Sequence, residues 1–258
     1  MAWYRLKIFL TIFSALVLLQ VAGEAPAQEP ELAHVVEAVE APFRPDSSGR
    51  QAITAFEAAF EQQSMIASLE QSQQGSGLMQ VKFVPPEKEV PAKVRFRWIY
   101  TKPSSQEIVS DGETVWVYLP ENQQVLQSSL AEVGAGQAQE NPLVFITGLG
   151  NLSENFTLSW ANPRQDQDGN YLLALAPKKP SAMVQSLRLA VAKEAVLSRG
   201  GEPVFPLRTV EIVDTNDNRT HLTFAGVRIN PKLADRRFTF QVPEGVEVVT
   251  PDQFGPAF

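Results

Sequence analysis

Apolar residues near the beginning of the chain follow a helical spacing. Residues 24–50, rich in proline, alanine and glutamate, contain one predicted short helix, Leu32–Glu40, which the prolines that follow bring to an end. The next segment repeats Ile53, Phe56 and Phe60 at intervals of three and four. That spacing predicts an amphipathic helix of about four turns with an aromatic ridge.

After the glycines near position 75 the apolar spacing falls to two, which predicts strands. Turn pairs such as Asp111-Gly112 and Asp168-Gly169 separate the runs. The predicted strands are Leu78–Val84, Val94–Thr101, Gln106–Ser110, Thr114–Leu119, Gln124–Gln127, Asn155–Ala161, Tyr171–Leu175, Ser186–Ala192, Phe205–Val213, Thr220–Val227 and Arg237–Val242. With no repeat and no domain boundary between them, about eleven strands predict one large, curved antiparallel sheet.

The segment between the two sets of strands has a helical signature. Pro142 suits a first helical position, Leu143, Phe145 and Ile146 are apolar, and Gly148 suits the end. We therefore expect one short helix here.

Alternation along the strands places aromatic residues on one face of the sheet. Phe96, Trp98 and Tyr100 point to one side, while Arg95 and Arg97 point to the other. The same alternation groups Phe156, Leu158 and Trp160, and again Phe238, Phe240 and Val242. A core covered by helices accounts for any single residue. Two or three short helices are too few to cover about eleven strands, however, so the pattern predicts an apolar hollow.

Composition and charge exclude several classes of protein. The formal charge of −7 argues against a nucleic-acid binder, and the absence of cysteine removes disulfides and thiolate metal sites. No G-x-S-x-G or phosphate-loop motif is present, so we expect no enzymatic activity, metal or cofactor. Asp214 begins a run resembling a calcium loop, but Arg219 replaces the required glycine, which predicts a hairpin turn. His221 is expected on the polar face of a strand.

The N-terminus predicts export. Arg5 and Lys7 precede an apolar stretch that is short for a membrane span, and small residues follow. We expect residues 1–23 to be a signal peptide, cleaved near Gly23 or Ala27; an uncleaved anchor is the alternative. Cleavage would change the charge from −7 to −9 by removing the two basic residues. Export without cysteine favours a bacterial envelope.

Residues 95–130 carry a specific combination of motifs: an aromatic-x-Trp strand, a proline, a Val-Ser-Asp-Gly turn, a Trp-x-Tyr-x-Pro strand and a Gln-Val strand. The matching residues are Phe96, Trp98, Pro103, Ile108-Val109-Ser110-Asp111-Gly112, Val115-Trp116-Val117-Tyr118-Leu119-Pro120 and Gln124-Val125. This stretch resembles LolA, a family of periplasmic carriers of outer-membrane lipoproteins.

The resemblance extends in both directions. Phe56-x-x-x-Phe60-x-Gln62 resembles the end of the family's first helix, and Asn141-Pro142-Leu143 resembles the start of its lid segment. Phe238-Thr239-Phe240 resembles the family's final strand. We therefore expect a carrier domain over residues 51–250, preceded by a linker with a short helix over 24–50 and followed by a tail over 251–258.

The resemblance implies a half-open barrel of about eleven antiparallel strands, lidded by helices over an apolar cavity. That cavity would shield the acyl chains of a lipoprotein crossing the periplasm, received from an ATP-driven inner-membrane releasing complex and passed to an outer-membrane receptor. We expect a monomer. The expected cavity residues are Phe56, Phe60, Phe83, Phe96, Trp98, Tyr100, Leu143, Phe145, Ile146, Phe156, Leu158, Phe238 and Phe240.

The sequence departs from the family at the basic residue that holds the lid shut, for which Lys88 and Lys93 are both candidates. Two other binding functions remain open: an envelope sensor that binds lipid, and a carrier of another lipid such as a glycolipid. An esterase is the enzymatic alternative.

Overall fold

The computed structural model describes residues 29–44, 52–88, 92–132, 145–146, 148–181, 184–198 and 200–250, and these fold around one sheet of 12 strands. The strands are β1 (Ala55–Ile66), β2 (Gln71–Val84), β3 (Lys93–Lys102), β4 (Gln106–Ser110), β5 (Thr114–Leu119), β6 (Gln124–Ser129), β7 (Phe156–Gln165), β8 (Tyr171–Pro177), β9 (Ser186–Val191), β10 (Leu207–Val213), β11 (Arg219–Ile229) and β12 (Glu247–Val249). The helices are α1 (Leu32–Glu40), α2 (Leu130–Glu132), α3 (Leu152–Asn155) and α4 (Lys193–Leu197), and 3-10 turns occupy Ala41–Phe43, Ala67–Leu69, Pro120–Asn122, Leu149–Asn151 and Asp235–Phe238.

Two antiparallel meanders make up most of the sheet. The strand order is β12-β6-β5-β4-β3-β2-β1-β11-β10-β9-β8-β7, so the pairing of β1 with β11 joins the two meanders. Every pair is antiparallel except β12 with β6. The predicted antiparallel sheet is confirmed, with one parallel strand at an edge.

The sheet curves into a half-open barrel around one core. Its main apolar cluster takes residues from both meanders, among them Trp98 in β3 and Leu189 in β9. The short α1 and the turn that follows it contact both meanders. α1 contacts β7 in one meander, and Phe43 contacts Phe83 of β2 in the other. The edge strands β7 and β12 do not pair with each other, so the barrel stays open.

The predicted amphipathic helix around Phe56 and Phe60 is wrong, because these residues lie in β1. An interval of four places two residues on the same face of a strand as well as of a helix. Here Phe60 pairs with Gly77 of β2 on one side and Phe224 of β11 on the other. The same segment is therefore also not the end of a first helix, and α1, which lies earlier, has the predicted bounds Leu32–Glu40.

The predicted final strand, Arg237–Val242, is also wrong. Residues 235–238 form a 3-10 turn, and the last strand is β12. Both edges of β11, the strand that precedes this segment, are already paired, with β1 and β10. The chain therefore crosses the outer surface of the sheet before it reaches the free edge of β6.

Other sequence predictions fall partly within the described residues. β4 and β5 have the predicted bounds, and Asp214 begins a hairpin turn in which its Oδ1 accepts the backbone N–H groups of Asn216 and Asn218 at 2.7 and 2.9 Å. In the predicted lid helix, Phe145 and Ile146 are helical, whereas residues 142–144 lie outside the described part. The predicted signal peptide and the tail over 251–258 also lie outside it. Within the described ranges, no helix combines the length and apolar character needed to span a bilayer.

Candidate binding site

The concave face of the sheet is an aromatic wall. Phe56, Phe60, Phe96 and Trp98 are each at most 1% exposed. The Phe60 ring contacts Trp98 edge-on, at 5.0 Å between ring centroids, and Tyr100 at 4.9 Å. These rings alternate along β1 and β3 with residues facing outwards, so they share one side of the sheet.

A lid of separate short segments covers this wall. It consists of α1, the turn Ala41–Phe43, residues 145–146, the turn Leu149–Asn151 and α3. Its apolar side chains, including Val35, Val39, Ile146, Leu149 and Leu152, are buried in the main cluster with the sheet. The helices are short, so packing against the wall, rather than helix propensity, holds them in place.

The lid has two halves: the first is α1 with the turn Ala41–Phe43, and the second is residues 145–146, the turn Leu149–Asn151 and α3. A group of polar contacts, which we call the clasp, joins them. The buried carboxylate of Glu40, at the end of α1, accepts hydrogen bonds from the backbone N–H and the hydroxyl of Ser153 in α3, at 2.5 and 3.2 Å. Arg44 bonds Glu40 and Glu37 and donates from Nε to the carbonyl of Gly150 at 3.1 Å. The clasp therefore consists of Glu40, Arg44, Gly150 and Ser153.

Charge and backbone shape both suit the clasp. Burial by itself lowers the pKa of Arg44, but the hydrogen bond that Arg44 donates to Glu40 and the charges of Glu37 and Glu40 outweigh it and raise the pKa, so the guanidinium stays charged. A Cβ at Gly150 would lie 3.1 Å from the carbonyl oxygen of Phe43. Glycine thus lets the two halves approach backbone to backbone.

An open cavity of about 460 Å³ lies at one end of the barrel, beside the clasp. We call it the end cavity. Its walls come from the lid, through Phe43 and Gly150, and from the strand ends, through Ile53, Phe83 and Val94. Arg44, Lys93 and Glu154 also line it. The end cavity is therefore apolar inside, carries charges of both signs, and touches both halves of the lid.

Residues 51–241 match the model of the family described as "Outer membrane lipoprotein carrier protein LolA". The chain belongs to the LolA family. An outer-membrane lipoprotein carrier protein of Albidiferax ferrireducens is 32% identical over 155 residues, covering 60% of this chain and 68% of that protein. The carrier of Azotobacter vinelandii is 30% identical over 193 residues, covering 74% and 80%. That of Neisseria meningitidis serogroup B is 32% identical over 158 residues, covering 60% and 66%.

Most of the residues predicted to line a LolA-type cavity meet in one cluster. Six are buried in it: Phe56, Phe60, Phe96, Trp98, Phe145 and Ile146. Four are half-buried and pack against it: Phe83, Tyr100, Phe156 and Leu158. Leu143 lies outside the described residues. The described lid residues Ile146, Leu149 and Leu152 are buried against these residues, and the end cavity lies beside them.

Phe238 and Phe240 were predicted to line the cavity, and the structure corrects this. Both residues lie on the face of the sheet opposite the aromatic wall. Phe238 packs with Ala55 and Leu233 in a separate cluster. The Phe240 ring lies 5.7 Å from that of Tyr118, whose strand neighbour Val117 faces the main cluster. Successive strand residues face opposite sides, so Tyr118 and Phe240 are outside.

Among the described residues, Arg44 and Lys178 are basic residues that bond the lid, Lys178 through the carbonyl of Ser153 at 2.8 Å. Lys93 pairs with Glu113, and Lys88 is exposed; within the described ranges neither bonds the lid. Arg44 bonds both halves of it. Sequence reasoning missed Arg44, although its spacing of four from Glu40 at the end of a predicted helix is a recognisable ion-pair signal.

Proposed function

We propose that this protein binds the acyl chains of lipoproteins against its concave aromatic wall and carries them from the inner to the outer membrane. The observation that carries the proposal is the wall itself, an apolar surface that is covered by a segmented lid rather than closed by the sheet. A lid of short segments, held by apolar packing and by polar contacts such as the clasp, can separate from the wall without unfolding the sheet.

Energetics support an exchange of lid for lipid. Three acyl chains hold about 45 methylenes, and at ~0.8 kcal/mol each their full burial would be worth about 36 kcal/mol. Reversible complexes saturate near ~18–21 kcal/mol. A carrier must release its cargo, so its cavity should cover the chains incompletely. Lipid replacing buried lid residues such as Leu149 gains only the difference between two apolar contacts, which keeps the cargo releasable.

The proposed route follows from the family and from the predicted signal peptide. After cleavage near Gly23 or Ala27 the protein would work in the periplasm. It would receive cargo from an ATP-driven releasing complex of the inner membrane and deliver it to a receptor at the outer membrane, acting as a monomer. The Albidiferax and Azotobacter relatives, which are outer-membrane lipoprotein carrier proteins, support a lipoprotein as the cargo.

A paired substitution in β7 tests the binding face. Leu158 is half-buried and packs against the main cluster, whereas its neighbour Ser159 is exposed on the other face. Leu158→Asp should weaken binding of an S-dipalmitoylglyceryl-cysteinyl peptide about tenfold or more, because a carboxylate would be buried against hydrocarbon. Ser159→Asp adds the same charge and should change binding less than twofold. Equal effects of the two variants would contradict the proposal.

Transfer is tested with spheroplasts. The wild-type protein should release a newly made lipoprotein into the soluble fraction, and Leu158→Asp should not. If no lipoprotein is released, the carrier function is wrong. Mass spectrometry of lipid extracted from the purified protein then identifies whether a glycolipid is the ligand instead.

A further inference from the structure

The end cavity is distinct in position from the wall under the lid. It opens beside the last residues of β2 and the first residues of β3, where Phe83 and Val94 supply its sheet side. The aromatic pair at the centre of the wall, Phe60 and Trp98, does not line it. Ligand can therefore enter this space while the lid still covers the wall.

The size of the end cavity suits a single hydrocarbon chain. An apolar cavity of about 150 Å³ holds one benzene molecule, or ~25 Å³ per carbon atom. On that scale about 460 Å³ holds roughly 18 carbon atoms. One palmitoyl chain fits, and a second does not. Binding of a diacylated ligand therefore requires more space than the end cavity offers.

The end cavity is also built from both halves of the clasp. Arg44 lines it and holds Glu40, while Gly150 lines it and accepts the bond from Arg44. A chain inserted here packs between Phe43 on the first half of the lid and Gly150 on the second. A polar end group would also lie beside the guanidinium of Arg44 and compete with its present partners.

We propose that the end cavity is an entry site for one acyl chain, and that its occupation releases the clasp and opens the lid to the remaining chains. This inference rests on the proposed function and adds an order of events to it. The first chain binds the closed form, and later chains bind only after the two halves of the lid separate.

A reversible cross-link across the clasp tests this order. The chain has no cysteine, so Glu40→Cys/Ser153→Cys introduces a unique thiol pair. The Glu40 Oε2 and Ser153 Oγ atoms lie 3.2 Å apart. A cysteine at position 40 is shorter than glutamate, so a short bis-methanethiosulfonate reagent spans the pair. Reduction with dithiothreitol removes the bridge from the same sample, which serves as its own control.

Two ligands are compared, each below its critical micelle concentration: 1-palmitoyl-lysophosphatidylcholine, with one chain, and the S-dipalmitoylglyceryl-cysteinyl peptide, with two. The cross-linked protein should bind the one-chain ligand within about twofold of the reduced protein, and should lose at least tenfold in affinity for the two-chain ligand. Val94→Asp, added to the cross-linked protein, should abolish one-chain binding, because Val94 lines the end cavity.

Each outcome has a distinct meaning. If the cross-linked protein binds neither ligand but the reduced protein binds both, the end cavity is not a separate entry site and the carrier proposal survives. If the cross-linked protein binds both equally well, the lid does not gate the wall and the inference is wrong. If the reduced protein also binds neither, the proposed function fails with it.

Discussion

Glu40 and Ser153, 113 residues apart in the chain, are joined by two hydrogen bonds in which the Glu40 carboxylate accepts the backbone N–H and the hydroxyl of Ser153, at 2.5 and 3.2 Å. Glu40 is only 1% exposed. Because a buried carboxylate is stable only when its oxygens are satisfied, this contact sets the position of α1 relative to α3.

Glu40→Gln should weaken the clasp. The amide keeps one acceptor for Ser153 but presents an NH₂ group or a neutral oxygen to the guanidinium of Arg44. Hydrogen bonds to charged groups contribute about 1.5–3 kcal/mol, so we expect a loss of about 2 kcal/mol and a Tm lower by about 4–8 °C in thermal unfolding. Glu37→Gln is the matched control, since Glu37 bonds the same arginine but is 53% exposed; its Tm should change by less than about 2 °C. Equal Tm shifts for the two variants would show that the burial of Glu40 does not strengthen its bond to Arg44.

Gly77→Ala should disrupt the pairing of β2 with β3. A Cβ at Gly77 would lie 1.8 Å from the carbonyl oxygen of Ile99, which is backbone and cannot move without separating the strands. At Gly75, two positions away, a Cβ would lie 3.2 Å from the Tyr100 ring, which can shift. We expect Gly77→Ala to cost about 3 kcal/mol or more in urea unfolding and Gly75→Ala about 1 kcal/mol. A larger loss of unfolding free energy for Gly75→Ala than for Gly77→Ala would mean that β2 and β3 pair in a different register.

Asp166 should make stability depend on pH at the turn between β7 and β8. Burial by itself raises the pKa of Asp166, but hydrogen bonds from the side chain and backbone of Asn170 and from the backbone of Asp168 and Gly169 outweigh it and lower the pKa below the ordinary value of 3.8. A lowered pKa in the folded state means that ionised Asp166 stabilises the fold above the unfolded-state pKa, and that this contribution is lost as the pH falls through the folded-state value.

The Asp166→Asn variant isolates this contribution. Its Tm should lie about 2–5 °C below that of the wild type at pH 7, and the gap should close as the pH falls below the ordinary carboxyl pKa of 3.8 and through the lowered folded-state pKa. Asp168→Asn removes an exposed carboxylate from the same turn and should leave the Tm within about 1 °C at both pH values. A gap for Asp166→Asn that does not depend on pH would rule out the carboxylate as its cause.

Phe240→Ala should loosen the C-terminal segment and leave the binding face unchanged. The Phe240 ring packs on Trp116 and Tyr118, at 6.3 and 5.7 Å between centroids, on the outside of the sheet. We expect faster hydrogen exchange in β12 and a loss of about 1–2 kcal/mol, with lipopeptide affinity within twofold of wild type. Val242→Ala, at a position 41% exposed, should change neither measurement. An affinity loss as large as that of Leu158→Asp would contradict the outer position of Phe240 and indicate that it lines the binding cavity.

Local pattern predicted much of the sheet. β4 and β5 have the predicted bounds because a period of two between turn residues is a property of the segment itself. The same alternation correctly placed Phe96 and Trp98 on the buried face. The bounds of α1 followed from the prolines after it.

Long-range pairing decided the rest. The interval of four between Phe56 and Phe60 fits a helix and a strand alike, and only hydrogen bonding to β2 and β11 on both sides makes it a strand. Phe240 is outside because the sheet had no free edge beside β11 for residues 237–242 to join. The contact of Glu40 with Ser153 has no local signal at all, because it exists only where two distant segments meet on the lid.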